Sequence, residues 1–371
     1  MPGEQPLPIS DIRRVLSIQS HVSSGFVGNR VATLVLQILG WDVDTINTVQ
    51  YSNHAGYGRA GGPKTDAIQL TAIFAGLEKN GLMRYSRMLT GYVPGREPLK
   101  VIAEHILRLK TAMPSLVYVL DPVMGDEGRL YVDSDVVPIY RDNLLPLATI
   151  ITPNWFEVEL LTKTPLNSLA DLRTALRILH KEHRVPNVVI SSLTLKPKDL
   201  RGPREPALES KIYTGGSLVC LCSVYPAVTG PDSPATDVCI STVHTTAVDR
   251  IKGYFSGVGD LFSALVTASY SPDQVVPAGQ TPISSATAFA VGVTQKVLYA
   301  TQEHYISLPE EERPDTDTEE DRKNPDRRAR RMRGRELKLV QSIADIQQAD
   351  STSRPMEEWQ DFWTGNRKPA L

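Results

Sequence analysis

The sequence Lys252-Gly-Tyr-Phe-Ser-Gly-Val-Gly-Asp-Leu-Phe-Ser-Ala-Leu-Val-Thr-Ala268 joins a glycine-rich turn to the start of an apolar helix. The turn is Gly257-Val258-Gly259-Asp260. Glycines let a backbone approach a ligand closely, and the first turn of a helix offers unpaired N–H groups at the positive end of its dipole. The pattern predicts a phosphate site in which Asp260 accepts a proton from an attacking hydroxyl. The alternative is a plain turn in which Asp260 only caps the helix.

The composition is that of an ordinary globular protein. The 371 residues are 41% hydrophobic and 22% charged, enough for one large α/β domain or two smaller ones. The formal net charge of −2 gives no basic field, so we expect no nucleic-acid partner. Three cysteines fit a reducing compartment, and the sequence has neither an apolar signal core nor a run of membrane-spanning length. We therefore expect a cytoplasmic protein without a membrane partner.

Short apolar runs alternate with helical patterns along most of the chain. Strands are predicted at residues 14–20, 43–51, 87–90, 116–120, 149–151 and 187–190, and helices at 29–38, 64–79, 98–111, 170–183 and 286–299. This alternation predicts an α/β fold with a mainly parallel, doubly wound central sheet. Ligands bind such sheets at the carboxyl ends of the strands, and polar clusters follow several of the runs.

Three segments depart from the alternation. Residues 193–246 are rich in proline, glycine and serine, and we expect a loop-rich excursion with an edge strand or hairpin near 217–224. Residues 309–335 are first acidic and then basic, which is typical of a disordered insert; the basic half is also a candidate nuclear localisation signal or polyanion patch. Residues 336–343 are expected to form a terminal strand, and 348–371 a C-terminal tail. One domain is expected from residues 13–308 and 336–347.

Carboxylates follow the predicted strand at residues 116–120. Asp121 and Asp126 lie on the loop after it and can hold a hard cation directly or through water. Magnesium at this point would neutralise the charge of nucleotide phosphates. The alternative is that Asp121 stabilises the turn while Asp126 is solvated.

A second polar cluster follows the predicted strand at residues 149–151. Thr152 precedes Asn154 and Glu157, which are three residues apart on one helical face. Together they could orient a metal-bound water or contact phosphate oxygens. The alternative for the same spacing is a capping box at the start of a helix.

Three further patterns favour structural interpretations. Residues 56–61 match G-x-G-x-x-G, but Gly62-Pro63 interrupts the helix that should follow, which favours a flexible loop. Cys220 and Cys222 lack a second ligand pair and favour buried thiols. His180-x-x-His183 ends a charged helix and favours a C-terminal cap over a metal site.

Seven motifs, taken in order, resemble those of the pyridoxal kinase family. They are Ser17-Ile-Gln-Ser-His-Val22, Gly28-Asn-Arg30, Val49-Gln-Tyr-Ser-Asn-His54, Leu89-Thr-Gly-Tyr92, Asp121-Pro-Val-Met-Gly-Asp126, Ile151-Thr-Pro-Asn154 and Gly257-x-Gly-Asp260. The resemblance runs from about residue 13 to 299 and resumes over 336–346. It implies a ribokinase-like three-layer α/β/α sandwich and a homodimer. It also implies transfer of phosphate from ATP to the 5′-hydroxymethyl group of pyridoxal, pyridoxine or pyridoxamine.

The resemblance implies roles for individual residues as well. The vitamer pocket is implied at Ser20, Val22, Ala55, Tyr92 and Tyr131, with Tyr131 on a loop over the site. Mg²⁺, or another divalent ion such as Zn²⁺, and a monovalent ion (K⁺ or Na⁺) are implied at Asp121, Asp126, Thr152 and Glu157. ATP is implied at Asn154, Glu157, Ser191, Ser192, Gly257, Val258 and Gly259. Asp260 is the implied general base, and Gly257 and Gly259 supply the amides of the anion hole.

The chain departs from the family pattern at two residues and two segments. Ala55 and Val258 each stand where the family usually has threonine, and the loss of one hydroxyl contact costs about 1 kcal/mol, or roughly tenfold in rate. Residues 193–246 and 309–335 are longer than the family core needs. The alternatives are a vitamer-binding or regulatory protein that has lost turnover, and another kinase of the superfamily, of the hydroxymethylpyrimidine type.

Overall fold

The computed structural model describes residues 13–126, 128–193, 217–226, 240–349 and 355–364. Its strands are β1 (Arg14–Val22), β2 (Asp42–Tyr51), β3 (Arg87–Thr90), β4 (Val117–Leu120), β5 (Gly125–Asp126), β6 (Arg129–Leu130), β7 (Ile150–Ile151), β8 (Asn187–Leu193), β9 (Ser217–Val224), β10 (Thr242–Asp249) and β11 (Glu357–Glu358). Its helices are α1 (Asn29–Ile38), α2 (Ala67–Lys79), α3 (Arg96–Ala112), α4 (Val137–Ile139), α5 (Trp155–Thr162), α6 (Leu169–Arg177), α7 (Val258–Ser269), α8 (Pro282–Ser307), α9 (Thr318–Lys323), α10 (Pro325–Gly334) and α11 (Ile343–Gln347).

Nine strands form one sheet in the order β11-β10-β9-β8-β7-β4-β3-β1-β2. The six strands from β8 to β2 in that order are mutually parallel. The neighbours β9, β10 and β11 pair antiparallel, and β5 with β6 forms a separate small hairpin. The mainly parallel α/β sheet predicted from the alternation is therefore confirmed.

Helices cover both faces of the sheet because successive strand residues point to opposite sides. In β4, Tyr118 and Leu120 belong to the core beneath α2, α3, α5 and α6, whereas Val117 and Val119 belong to the core beneath α1, α7 and α8. Each fully buried side chain of this size contributes about 1.5–3 kcal/mol. The result is the expected three-layer α/β/α sandwich. Among the described residues no helix has the length and apolar character to cross a membrane.

The charged segment differs from the disordered insert that we predicted. It contains α9 and α10, and Asp321 accepts hydrogen bonds from Arg331 and, at 3.0 Å, from Arg327. The Asp321 and Arg331 side chains are only 9% and 4% exposed. The prediction is wrong because it treated the acidic and basic halves as separate blocks, whereas they neutralise each other across one helical hairpin.

The segments at the chain's end also correct or extend the predictions. Residues 336–342 form turns that bury Leu337 and Leu339, and α11 begins at Ile343, so the terminal strand predicted at 336–343 is wrong. The strand expected near 217–224 exists as β9, but it lies inside the sheet and pairs with β10, which was not predicted. The rest of the excursion, 194–216 and 227–239, lies outside the described residues. From the C-terminal tail, Trp359, Phe362 and Trp363 pack into the core.

Candidate active site

The glycine-rich turn begins α7 as its sequence predicts. Gly257 is the N-cap with φ of 84°, and a Cβ there would collide with the carbonyl oxygen of Phe26. No side chain caps the helix, so its first N–H groups keep their capacity to bind an anion. Val258 is the first helical residue, and the exposed Gly259 follows it. The turn therefore combines a backbone that only glycine fits with an accessible helix N-terminus.

Asp260 is the third residue of α7 and points away from the helix backbone. Its Oδ2 accepts a hydrogen bond of 2.8 Å from the backbone N–H of Gly28, in the loop after β1. The interpretation of Asp260 as the N-cap is therefore wrong, because Gly257 holds that position. Burial raises the pKa of the Asp260 carboxyl, while the Gly28 N–H and the nearby His54 oppose this rise. A half-buried carboxylate with a raised pKa is suited to accept a proton near neutral pH.

Asp121 lies beside the glycine-rich turn, at the carboxyl end of β4. A Cβ on Gly259 would lie 3.9 Å from Asp121 Oδ2, which is buried and has no hydrogen-bond partner. Burial and the neighbouring Asp260 carboxylate raise the pKa of Asp121 to about 8. A hydrogen bond between Ser263 and the Asp121 carboxyl group partly opposes this rise. A cation would remove this cost of burying the charge.

Thr152 stands next to Asp121 on the neighbouring strand end. Leu120 of β4 and Ile151 of β7 are paired, and Thr152 N donates to Leu120 O at 3.0 Å. The Thr152 hydroxyl, like Asp121 Oδ2, is buried without a partner. Carboxylate and hydroxyl oxygens suit a hard cation such as Mg²⁺. No cluster of three or more His, Cys, Asp or Glu in the described ranges could hold a metal ion, so water and phosphate would have to complete the shell.

Asn154 and Glu157 form a capping box at the start of α5, as the structural alternative predicted. Asn154 Oδ1 accepts from Glu157 N at 3.0 Å, and Glu157 Oε2 accepts from Asn154 N at 2.9 Å. Glu157 Oε1 also accepts from Met124 N at 2.9 Å, and Asn154 Nδ2 donates to Gly125 O at 2.8 Å. Burial, followed by the Asp121 carboxylate, raises the pKa of Glu157. The pair therefore fixes the 121–126 loop.

The residues predicted to line a vitamer pocket lie at or after the carboxyl ends of neighbouring strands. Ser20 lies near the end of β1 against Gly28, where a Cβ would collide with the Ser20 hydroxyl, and Val22, the last residue of β1, is buried. Tyr92 follows β3 and is half-buried, and its carbonyl accepts from the Thr48 hydroxyl at 2.7 Å. Burial, Tyr51 and Asp133 raise the pKa of the Tyr92 phenol. The contact between Ser20 and Gly28 brings Ser20 to the loop whose Gly28 N–H bonds the Asp260 carboxylate.

Three more predicted site residues lie on loops or short strands near the glycine-rich turn and the 121–126 loop. Ala55 is exposed in a turn that follows His54. Asp126 is half-buried in β5, and the half-exposed Tyr131 follows β6 with its phenol hydrogen-bonded to Tyr254, before the glycine-rich turn.

Two serines lie on a neighbouring strand. Ser191 and Ser192 are half-buried on β8, and Ser191 N donates to Pro153 O at 3.3 Å, beside Thr152.

Sequence reasoning missed the Gly28 N–H, although it singled out the Gly28-Asn-Arg30 motif, because a backbone donor leaves no side-chain signal.

Comparisons with known proteins find a family model, named relatives and solved structures that resemble this chain. A family model described as phosphomethylpyrimidine kinase matches residues 67–219. The pyridoxal kinase of Arabidopsis thaliana is 39% identical over 278 residues, 74% of this chain and 81% of the relative. The pyridoxal kinase of Homo sapiens is 37% identical over 263 residues, 69% of this chain and 76% of the relative. The solved pyridoxal kinase of Leishmania donovani with ADP and pyridoxine is 30% identical, with a TM-score of 0.71 over 94% of this chain and 99% of that one. The chain therefore belongs to the pyridoxal kinase family.

Proposed function

We propose that this protein transfers the γ-phosphoryl group of ATP to the 5′-hydroxymethyl group of pyridoxal, and also of pyridoxine and pyridoxamine. One observation carries the chemical part of this proposal. The Asp260 carboxylate is held by the Gly28 N–H at the entrance of a helix whose first N–H groups carry no side-chain cap. A carboxylate beside an uncapped helix N-terminus supports the proposal, because phosphoryl transfer to an alcohol requires a proton acceptor next to an anion site.

Asp260 takes the proton of the 5′-hydroxyl while that oxygen attacks the γ-phosphorus in line, and the bond from this phosphorus to the β–γ bridging oxygen breaks to release ADP. The N–H groups of the Gly257–Gly259 turn stabilise the charge that develops on the transferred phosphoryl oxygens. Asn154 and Glu157 keep the 121–126 loop in place beside them. Val258 contributes its backbone N–H only, so the hydroxyl contact that the family's threonine would add is lost.

Asp121 and Thr152 are the residues that would hold a divalent ion, because both present buried oxygens without partners. We propose that Asp126, on the same loop, and Glu157 assist in binding this ion. Glu157 would do so by holding the 121–126 loop through its bond from Met124 N. Mg²⁺ or Zn²⁺ bound there would supply charge neutralisation for the ATP phosphates. A monovalent cation, K⁺ or Na⁺, is proposed at the same strand ends. Ser191 and Ser192 on β8 are proposed contacts for ATP.

Ser20, Val22, Tyr92 and Tyr131 are the proposed vitamer contacts. Ala55 leaves the pocket one hydroxyl short of the family pattern, which predicts weaker vitamer binding by about 1 kcal/mol.

We also propose a homodimer formed through α2. Ile68 and Ile73 on this helix are 81% and 40% exposed, and Leu107 on the neighbouring α3 is 53% exposed. Three large apolar side chains exposed on two packed helices support an interface at this surface. Light scattering at several concentrations should give twice the chain mass, and Ile68→Glu should shift it to one chain mass. A wild-type mass of one chain at all concentrations would refute the dimer.

The activity is tested by incubating the purified protein with Mg-ATP, potassium and each of the three vitamers, with a hydroxymethylpyrimidine and a sugar in parallel. We expect phosphorylation of the vitamers and loss of activity on chelation of the metal. Faster phosphorylation of the pyrimidine would favour the other kinase of the superfamily. Vitamer binding without turnover at any metal concentration would favour a protein that has lost catalysis through Ala55 and Val258.

A further inference from the structure

Glu336, which follows the charged helical hairpin, joins two loops of the site. Its carboxylate accepts three hydrogen bonds, from His54 Nε2 at 3.0 Å, from Tyr57 Oη at 2.9 Å and from Phe26 N at 3.1 Å. The side chain is 16% exposed. Burial alone would raise its pKa, but the bonds from these donors more than compensate and hold the pKa below its usual value. Glu336 is therefore ionised at neutral pH.

The first of the two loops, residues 23–28, lies between Glu336 and the glycine-rich turn. Gly25 has φ of 94°, and a Cβ there would lie only 2.6 Å from Glu336 Oε1. The next residue, Phe26, donates its N–H to Glu336 and turns its carbonyl oxygen toward Gly257. Two residues further on, Gly28 donates to Asp260. A short, tightly packed backbone thus connects the Glu336 carboxylate to the proton acceptor.

The second loop, residues 52–58, is connected to Glu336 through an imidazole with a defined tautomer. Gly56 N donates to His54 Nδ1 at 3.1 Å, so Nδ1 is unprotonated and Nε2 carries the hydrogen that Glu336 accepts. Arg328 of α10 adds a bond of 2.7 Å to the Gly56 carbonyl. This loop carries Ala55, a proposed contact of the vitamer.

We infer that Glu336 is a positioning residue for phosphoryl transfer, because it holds the 23–28 loop so that the Gly28 N–H orients the Asp260 carboxylate. Glu336 does not contact the proposed reacting atoms; it acts through the backbone from Phe26 to Gly28. The inference rests on the proposed role of Asp260 as general base. It assigns a function to a residue beyond the charged hairpin, far along the chain from the motifs that carry the chemistry.

The test is a double-mutant cycle of Glu336→Gln with Asp260→Asn, measured as kcat and as KM for ATP. Glutamine keeps the size of the side chain but replaces one carboxylate oxygen by an N–H₂ group, so either the Phe26 bond at Oε2 or the His54 and Tyr57 bonds at Oε1 are disrupted. We expect Glu336→Gln to lower kcat about tenfold and to leave the KM for ATP within about twofold. In the Asp260→Asn background the same change should have less than about a twofold effect, because there is no base left to orient. Glu303→Gln, the same change on an exposed residue of α8, should match the wild type.

A kcat of folded Glu336→Gln within twofold of the wild type would overturn the inference. So would an equal loss in both backgrounds, which would indicate a general structural role. If Glu336→Gln does not fold, Glu336→Asp, which keeps the charge, takes its place in the same cycle under the same criteria. Full activity of Asp260→Asn alone would instead refute the proposed base, so the two failures are distinguishable.

Discussion

Gly257 shows how a single residue determines the conformation of the glycine-rich turn. Its positive φ and the carbonyl oxygen of Phe26 leave no place for a side chain. The sequence predicted a glycine-rich turn before an apolar helix, and Gly257 is the N-cap of α7. The sequence could not predict that Gly28 would orient Asp260, since a backbone N–H 232 positions away leaves no pattern in the sequence.

The first prediction is a loss of turnover in Gly257→Ala. The new Cβ must displace the 23–28 loop, and alanine is strained at this φ. We expect kcat to fall on the order of a hundredfold, a loss typical of damaged oxyanion-type sites. Gly292→Ala is the matched control, because nothing lies within 4 Å of its added Cβ in α8. It should keep full turnover and gain roughly 0.5–1 kcal/mol of stability. Equal turnover of the two variants would contradict the prediction.

Elements of the structure differ in how far their sequence determines them. The parallel strands were predicted because each is a short apolar run, whereas β10 was missed because it follows the irregular excursion and is paired antiparallel with β9. α6 continues into a short helical segment, Ile178–Glu182, whose C-cap is His183, so the predicted cap is formed by that histidine and not by His180. The His180 ring is buried and bonds the Val185 carbonyl at 2.7 Å and the Ser223 hydroxyl at 2.8 Å.

The second prediction is a pH dependence of stability caused by His180. Burial lowers the pKa of the His180 imidazole in the folded protein to about 4. The hydrogen bond to the Val185 carbonyl opposes this change, and the charge of Lys181 adds to it. The unfolded chain, with an ordinary pKa of about 6.5, binds more protons between these values, so stability falls as the pH drops from about 6.5 to 4. The loss attributable to His180 should approach roughly 3 kcal/mol at pH 4. Urea unfolding of His180→Gln should show a smaller slope over this range; an unchanged slope would refute the assignment.

At the scale of the whole molecule, the C-terminal tail contributes to both the main sheet and the core. Residues 355–364 add β11 to the sheet edge and insert three aromatic side chains into the core on one face. The tail's two tryptophans could be noted in the sequence, but not their partners, because the contacts join residues more than a hundred positions apart. Trp363 Nε1, for example, donates to Ser241 O at 2.8 Å.

The third prediction is that Trp363→Ala lowers the free energy of unfolding by about 3–5 kcal/mol, the usual cost of removing a buried aromatic side chain. Trp363 is 8% exposed and packs edge-on against Phe362 with ring centroids 5.0 Å apart. Val275→Ala, at a side chain 96% exposed, should change stability by less than about 0.5 kcal/mol. Chemical denaturation of both variants makes the comparison. A change below 1 kcal/mol for Trp363→Ala would mean that the tail does not stabilise the folded protein.

The measurement that tests the central claim most directly is the turnover of Asp260→Asn with pyridoxal and Mg-ATP. The control is Asp273→Asn, which makes the same change at an exposed position after α7. If Asp260 is the general base, its variant should lose about 10²–10⁴-fold in kcat with a small change in KM, and the control should keep wild-type turnover. Near-normal turnover of folded Asp260→Asn would contradict the assignment of the base, and with it the catalytic role proposed for the turn at residues 257–260.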